Sequence, residues 1–247
     1  MTHTDAPHSG LSAEQQQARI EEKFAIADAA VQQYELDGQM PTMFDIAGAA
    51  GISVSRMYGL FPNKPAIFHF WYESLSLRYQ SMLETLEGYD ELMLSEKLSN
   101  MMLSITDMMA ERRAFVEATF DEMVFRNQRW HPFCKQNEAL LKTIISSHEG
   151  TSRAAHIVLW DDVYAFLSKE FLHVIKFWIR DTSDNQQKTM ALMDNFNGFV
   201  AELLTNRLID KGTDLARFFW NEGIIKVDIS LPFVGHIKSG RNRESRA

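Results

Sequence analysis

A chain of 247 residues, 45% hydrophobic and 23% charged, has the make-up of an ordinary globular protein with room for a sizeable core in one or two domains. No uninterrupted apolar run approaches the ~18 residues of a membrane span, and the first residues lack the basic and apolar regions of a signal peptide. The lone cysteine, Cys134, excludes an intramolecular disulfide and reads as a buried thiol, so a reducing, cytoplasmic setting is expected.

Residues 1–12 are polar, broken by Pro7 and Gly10, and read as a disordered tail. From Glu14 to about Leu36, Ile20, Phe24, Ala27, Val31 and Tyr34 recur at helical spacing, and Asp37-Gly38 with Pro41 ends the helix. Thr42 and Asp45 then stand at the spacing of a capping box before a short helix reaching about Ala50. Gly51 falls where a left-handed residue is wanted, and Ser53 is placed to cap a second short helix, Val54 to Leu60. Ala47 and Ala50 are small where two helices cross closely, while Ile46, Ile52, Met57 and Leu60 supply the apolar faces. Two short helices joined by a glycine turn spell a helix-turn-helix. Asn63 caps a further helix with Pro65 in its first turn, expected to run to about Leu86 before Gly88 breaks it.

The rest reads as helical, with no convincing alternating strand. Leu94, Leu98, Met101, Ile105 and Met108 form one helix face. A second helix is expected over Arg113 to Arg126, interrupted by Trp130-His131-Pro132, and another over Glu138 to Ser146. Glu149 to Ser152 reads as a loop. A helix then opens at Asp161 or Asp162 and runs to Ile179, and Asp181 to Asp184 stops it and caps the next, which is broad in its apolar face and reaches about Asp210. A last helix is expected over Thr213 to Gly223. Residues 224–234 read either as one edge strand or as an extended tail, and 236–247 as a basic disordered tail. The expected architecture is all-α: a head over residues 13–63 and a larger body over 64–235.

The run Thr42, Ile46-Ala47, Ala50-Gly51-Ile52-Ser53, Tyr58, Phe61 and Lys64 resembles the motif of the TetR family of transcriptional repressors, over roughly residues 19–72. The resemblance implies a homodimer that binds double-stranded operator DNA, with the helix Val54–Leu60 in the major groove. Ser53, Val54, Ser55 and Arg56 become the readers. Arg56 is the side chain able to meet guanine N7 and O6 in bidentate fashion, and Val54 suits a thymine methyl. Thr42, Tyr58 and Lys64 become phosphate contacts. Gly59 stands where many relatives carry a larger polar residue. Against this, residues 1–75 hold four cations, Arg19, Lys23, Arg56 and Lys64, and nine acids, a thin electrostatic footprint. Most of those acids lie on the first helix and its exit, where they can face away from DNA. Modest, strongly salt-dependent affinity is expected.

The resemblance also implies a pocket in the body for a small hydrophobic effector that releases the DNA, and the abundant Met and Phe suit an adaptable wall. Candidate wall residues are Met102, Ile105, Phe125, Trp130, Trp160 and Tyr164. The two late helices are expected to pair with their symmetry mates in a dimer. His131, His148, His156 and His173 lack metal-ligand spacing, and no nucleophile or phosphate-loop motif is present, so neither metal, cofactor nor enzymatic activity is expected. The rival reading is a hydrophobe- or lipid-binding protein of the same fold without DNA recognition. It rests on the acidic head and on a short likeness of Trp178, Asp181, Ser183, Thr189 and Asp194 to a lipid-binding relative from coenzyme Q biosynthesis.

Overall fold

Local capping sets where the helices begin. The computed structural model describes residues 12–148 and 161–205. Helix α1, Ala13–Asp37, starts on Ser12, whose hydroxyl accepts the Gln15 amide while the Gln15 side chain takes the Ser12 amide. Ser12 therefore belongs to the helix start and not to a tail. Gly38, at φ 67°, closes α1 in the left-handed conformation. Helix α2, Met43–Ala49, ends in a Schellman turn: Ile52 N–H donates to the Ala47 carbonyl and Gly51 N–H to that of Gly48, with Gly51 at φ 67°. Helix α3, Val54–Leu60, has the bounds expected of it and its Ser53 cap.

Helix α4, Lys64–Leu83, starts on Asn63 and stops three residues short of expectation, because the chain tightens into i→i−3 bonds from Thr85 to Met82 and Leu86 to Leu83. The body continues through α5, Leu94–Ala110, and α6, Arg113–Phe120. The chain stays helical to Phe125, as expected of a helix reaching about Arg126, but widens after α6 into a π-turn, Asp121–Phe125, with the Arg126 N–H donating to the Asp121 carbonyl. Helix α7, Pro132–Ser147, begins earlier than expected, because Pro132 takes the first helical position, where its missing N–H costs nothing. Helices α8, Asp161–Arg180, and α9, Gln187–Thr205, complete the nine of the described residues. Asp181 joins those two by accepting from the amide and hydroxyl of both Ser183 and Thr189, which hold its carboxyl well below the usual range. Among the described residues there is no strand. The expected last helix, the 224–234 segment, the tails at 1–11 and 236–247 and the loop from Glu149 lie outside those residues.

The core runs without a break from head to body. Phe115 on α6 sits at its centre, with ring centroids 5.3 Å from Tyr34 of α1 and 5.6, 5.2 and 5.7 Å from Phe68, Trp71 and Tyr72 of α4. Arg112 reaches Glu35 of α1 at 3.2 Å, and Arg78 of α4 reaches Asp28 at 2.7 Å. Helix α4 therefore serves both parts: its first turns carry the head and the rest is the middle of the body.

Candidate nucleic-acid interface

At the tip, three side-chain caps fix the two short helices. Thr42 donates its hydroxyl to Asp45 Oδ2 at 2.6 Å and its amide to the same oxygen at 2.9 Å, while Thr42 Oγ1 accepts the Asp45 amide. The donation from the Thr42 hydroxyl, then that from its amide, keeps the Asp45 carboxyl below its ordinary value. The expected phosphate contact by Thr42 thus has a carboxylate beside it, and its hydroxyl proton is already engaged. Ser53 is exposed, with its Oγ turned to the Arg56 amide. Val54 is half-buried, Ser55 and Tyr58 are exposed, and Lys64 is half-buried at the start of α4. All seven expected contact residues lie on the α2–α3 unit or the first turn of α4.

The first helix is not a bystander. Arg56 Nε and Nη2 donate to Glu22 Oε1 and Oε2 at 2.8 and 2.5 Å, so the acid of α1 grips the one cation of α3. The hydrogen bond from Arg56 holds the Glu22 carboxyl low, and Glu22 raises the guanidinium in turn. The expectation that the acids of the first helix face away from the reading surface fails for Glu22: one turn of helix brings it round to α3. Arg19, almost a turn earlier, donates to the Gly59 carbonyl at 3.2 Å, near the negative end of α3. No local signal in the sequence reports either contact, since 34 and 40 residues separate the partners.

Behind the tip, a cleft of about 530 Å³ opens between head and body, walled by Lys23, Phe61, His69, Phe70, Trp130 and His131 among others. Lys23 lays its ammonium 4.0 Å from the Phe70 ring centre and 5.0 Å from that of Phe61, and burial lowers its pKa. His131 is buried and accepts the Phe133 amide on Nδ1 at 3.1 Å, so its proton sits on Nε2. That nitrogen is 2.9 Å from His69 Nδ1, which must then accept. Both ring orders follow from one backbone amide. Burial, followed by the neighbouring His69, pushes His131 down to about 4.

The expected effector residues are dispersed. Met102 and Ile105 are buried on α5, and Tyr164 is buried on α8. Phe125, in the π-turn, packs edge-on to His173 with Lys176 over its ring. Of the five that are described, Trp130 alone faces the cleft at the seam, and it is 77% exposed. Trp160 lies outside the described residues. Among those residues no group of three or more His, Cys, Asp and Glu side chains is placed to hold a metal, and no helix is long and apolar enough to cross a membrane.

A capped helix-turn-helix rooted in a larger all-helical body is the build of a helix-turn-helix protein with its own second domain. Residues 97–219 match the family model of the tetracyclin repressor-like C-terminal domain. Among solved structures, the chain is similar to a TetR transcriptional regulator from Nitrosomonas europaea: 17% identity, 73% of this chain and 98% of that one, TM-score 0.56. It is also similar to the TetR-family repressor AlkX from a Dietzia species, implicated in biodegradation of n-alkanes, at 18% identity over 74% and 97% of the two chains, TM-score 0.51. No curated protein matches it. The chain belongs to the TetR family of transcriptional regulators.

Proposed function

We propose that this protein is a ligand-responsive, sequence-specific DNA-binding regulator, acting as a repressor that a hydrophobic or amphipathic small molecule releases from its operator. The observation that carries the reading is the state of the reading helix: α3 is capped by Ser53 and seated on its buried Met57 and Leu60, with Arg56 exposed in its first turn. Ser53, Val54, Ser55 and Arg56 would meet base edges, and Thr42, Tyr58 and Lys64 would hold the backbone. Two heads are needed to span successive major grooves. The outward apolar side chains Phe166 and Phe177 of α8, and Met190, Leu192, Phe199 and Leu203 of α9, support pairing of two copies through these helices. An effector among the body helices would act by favouring an arrangement of the body in which the heads no longer match the duplex.

The test is fluorescence anisotropy of the purified protein against duplex from its own upstream region, with a shuffled duplex beside it, across a salt series. Tight, salt-sensitive binding to the native duplex alone is the expected result. Arg56→Ala is expected to cost ~1–3 kcal/mol on that duplex and little on the shuffled one. Lys64→Ala is expected to weaken both and flatten the salt slope by about one. Equal or absent binding to the two duplexes would favour the rival hydrophobe-binding reading, for which the Asp45 and Glu22 carboxylates at the tip are the supporting observation.

A further inference from the structure

The pairing of Glu22 with Arg56 joins two residues 34 apart in the chain, and its hydrogen-bond pattern says what it is for. An arginine guanidinium has five N–H donors: one on Nε and two on each Nη. Glu22 takes the Nε donor and one Nη2 donor, the side-on pair. Of the remaining three, one on Nη1 faces back toward Cδ, while the other on Nη1 and the second on Nη2 point along the end of the side chain. That end-on pair is a fork able to meet N7 and O6 of guanine. Arg56 keeps 57% of its side chain open to solvent while so held, whereas Glu22 is only 26% exposed. The carboxylate is therefore the fixed member. It stands on a 25-residue helix whose Ile26, Ala27, Ala30 and Val31 are buried, and Arg19 on the same helix pins the far end of α3.

We propose that Glu22 is a positioning residue for base readout, holding the guanidinium of Arg56 side-on so that its end-on fork is aimed before DNA arrives. This rests on the DNA-binding reading above. An unheld arginine must give up several rotatable bonds when it docks, and that loss is subtracted from the affinity for the matched site. Held by Glu22, it has already given them up. The carboxylate has an opposite effect as well, since a negative charge near the duplex weakens binding to any sequence. The two effects differ in sign, and this makes the proposal testable. As a support, Glu22 strengthens matched binding; as a mere charge or a competitor for Arg56, it weakens it.

The experiment measures wild type, Glu22→Gln, Arg56→Ala and the double variant by anisotropy on native and shuffled duplexes over a salt series, with circular dichroism melts to confirm folding. Glu22→Gln is expected to weaken binding to the native duplex about three- to tenfold and to leave the shuffled duplex unchanged or slightly tightened. In the Arg56→Ala background the same change is expected to leave the ratio between duplexes where it was. Tighter binding of Glu22→Gln to the native duplex would show that Glu22 competes for Arg56 and would overturn the proposal. Equal shifts on both duplexes would reduce Glu22 to a surface charge and overturn it too. A wild type that prefers the native duplex beside a Glu22→Gln variant with the same preference removes only the role of Glu22. A wild type with no preference removes the DNA-binding reading and this role together.

Discussion

At the tip of the head, side chains meet in exposed charge-assisted pairs such as Arg56–Glu22 and Thr42–Asp45; at the seam with the body they meet as packed rings from which water is excluded. An exposed ion pair contributes at most about 1 kcal/mol and exchanges partners readily, because water and salt compete for both ends. A buried ring with neighbours on four sides has no such alternative, since its removal leaves a cavity that the surrounding helices fill only in part. The difference separates a surface open to a partner from the frame that carries it. On the DNA-binding reading, the tip would add the contacts of a duplex to its own, with Glu22 still on Arg56, while the packed rings of the seam hold α1 and α4 to the body.

The strongest way to break that contrast is to empty the seam. Phe115→Ala is expected to destabilise the fold by about 3–5 kcal/mol, measured by denaturant unfolding followed in the near and far ultraviolet. The head and body signals are expected to be lost together, because Tyr34, Phe68, Trp71 and Tyr72 all lean on that ring. Two separate transitions would mean that the seam does not couple them.

Acid tests the same region more gently. His131 has its folded pKa near 4, below the ordinary 6.5, so the unfolded chain takes up this proton first. Its contribution to stability is whole above pH 6.5 and is lost as the pH falls toward 4, at most about 3 kcal/mol. Unfolding at pH 7.5 and pH 4.5 of wild type and of His131→Gln isolates it: the variant is expected to lose less on acidification. An identical loss in the two proteins would assign the acid sensitivity to other groups. At the tip, the smallest effect is expected from Gly51→Ala, ~1–2 kcal/mol in a thermal melt, because the site has φ 67° with open space around the missing Cβ. A neutral result there would show that the turn between α2 and α3 relaxes.

What the sequence disclosed follows the same division. The caps of α2, α3 and α4 act over three residues, so Thr42-Asp45, Ser53 and Asn63 announce them and the bounds of α3 are read correctly. Pro132 was legible in kind but not in sign: a residue that cannot sit inside a helix is the natural first residue of one, and α7 starts there. The π-turn at Asp121–Phe125 has no local signature, since its residues would suit an ordinary helix. Contacts between helices were not legible at all. His69 meets His131 across 62 residues and Glu22 meets Arg56 across 34, and neither follows from periodicity, which says which face is apolar but not which neighbour it meets. The same limit explains the scatter of the expected effector residues: Met102, Ile105 and Tyr164 are large and soft, which suits a pocket wall and a closed core equally.

The ring of Phe115 also bears on how such a chain can change over evolutionary time. Its partner Tyr34 lies on the first helix, and the Arg112 beside it grips Glu35. A graft that takes its first 63 residues from another member of the family would bring a foreign surface to a socket shaped for this one. On the proposed reading, operator preference would be swapped more easily through the few exposed residues of α3 than through exchange of whole heads, and a working hybrid would have to carry the counterparts of Tyr34 and Glu35 with it.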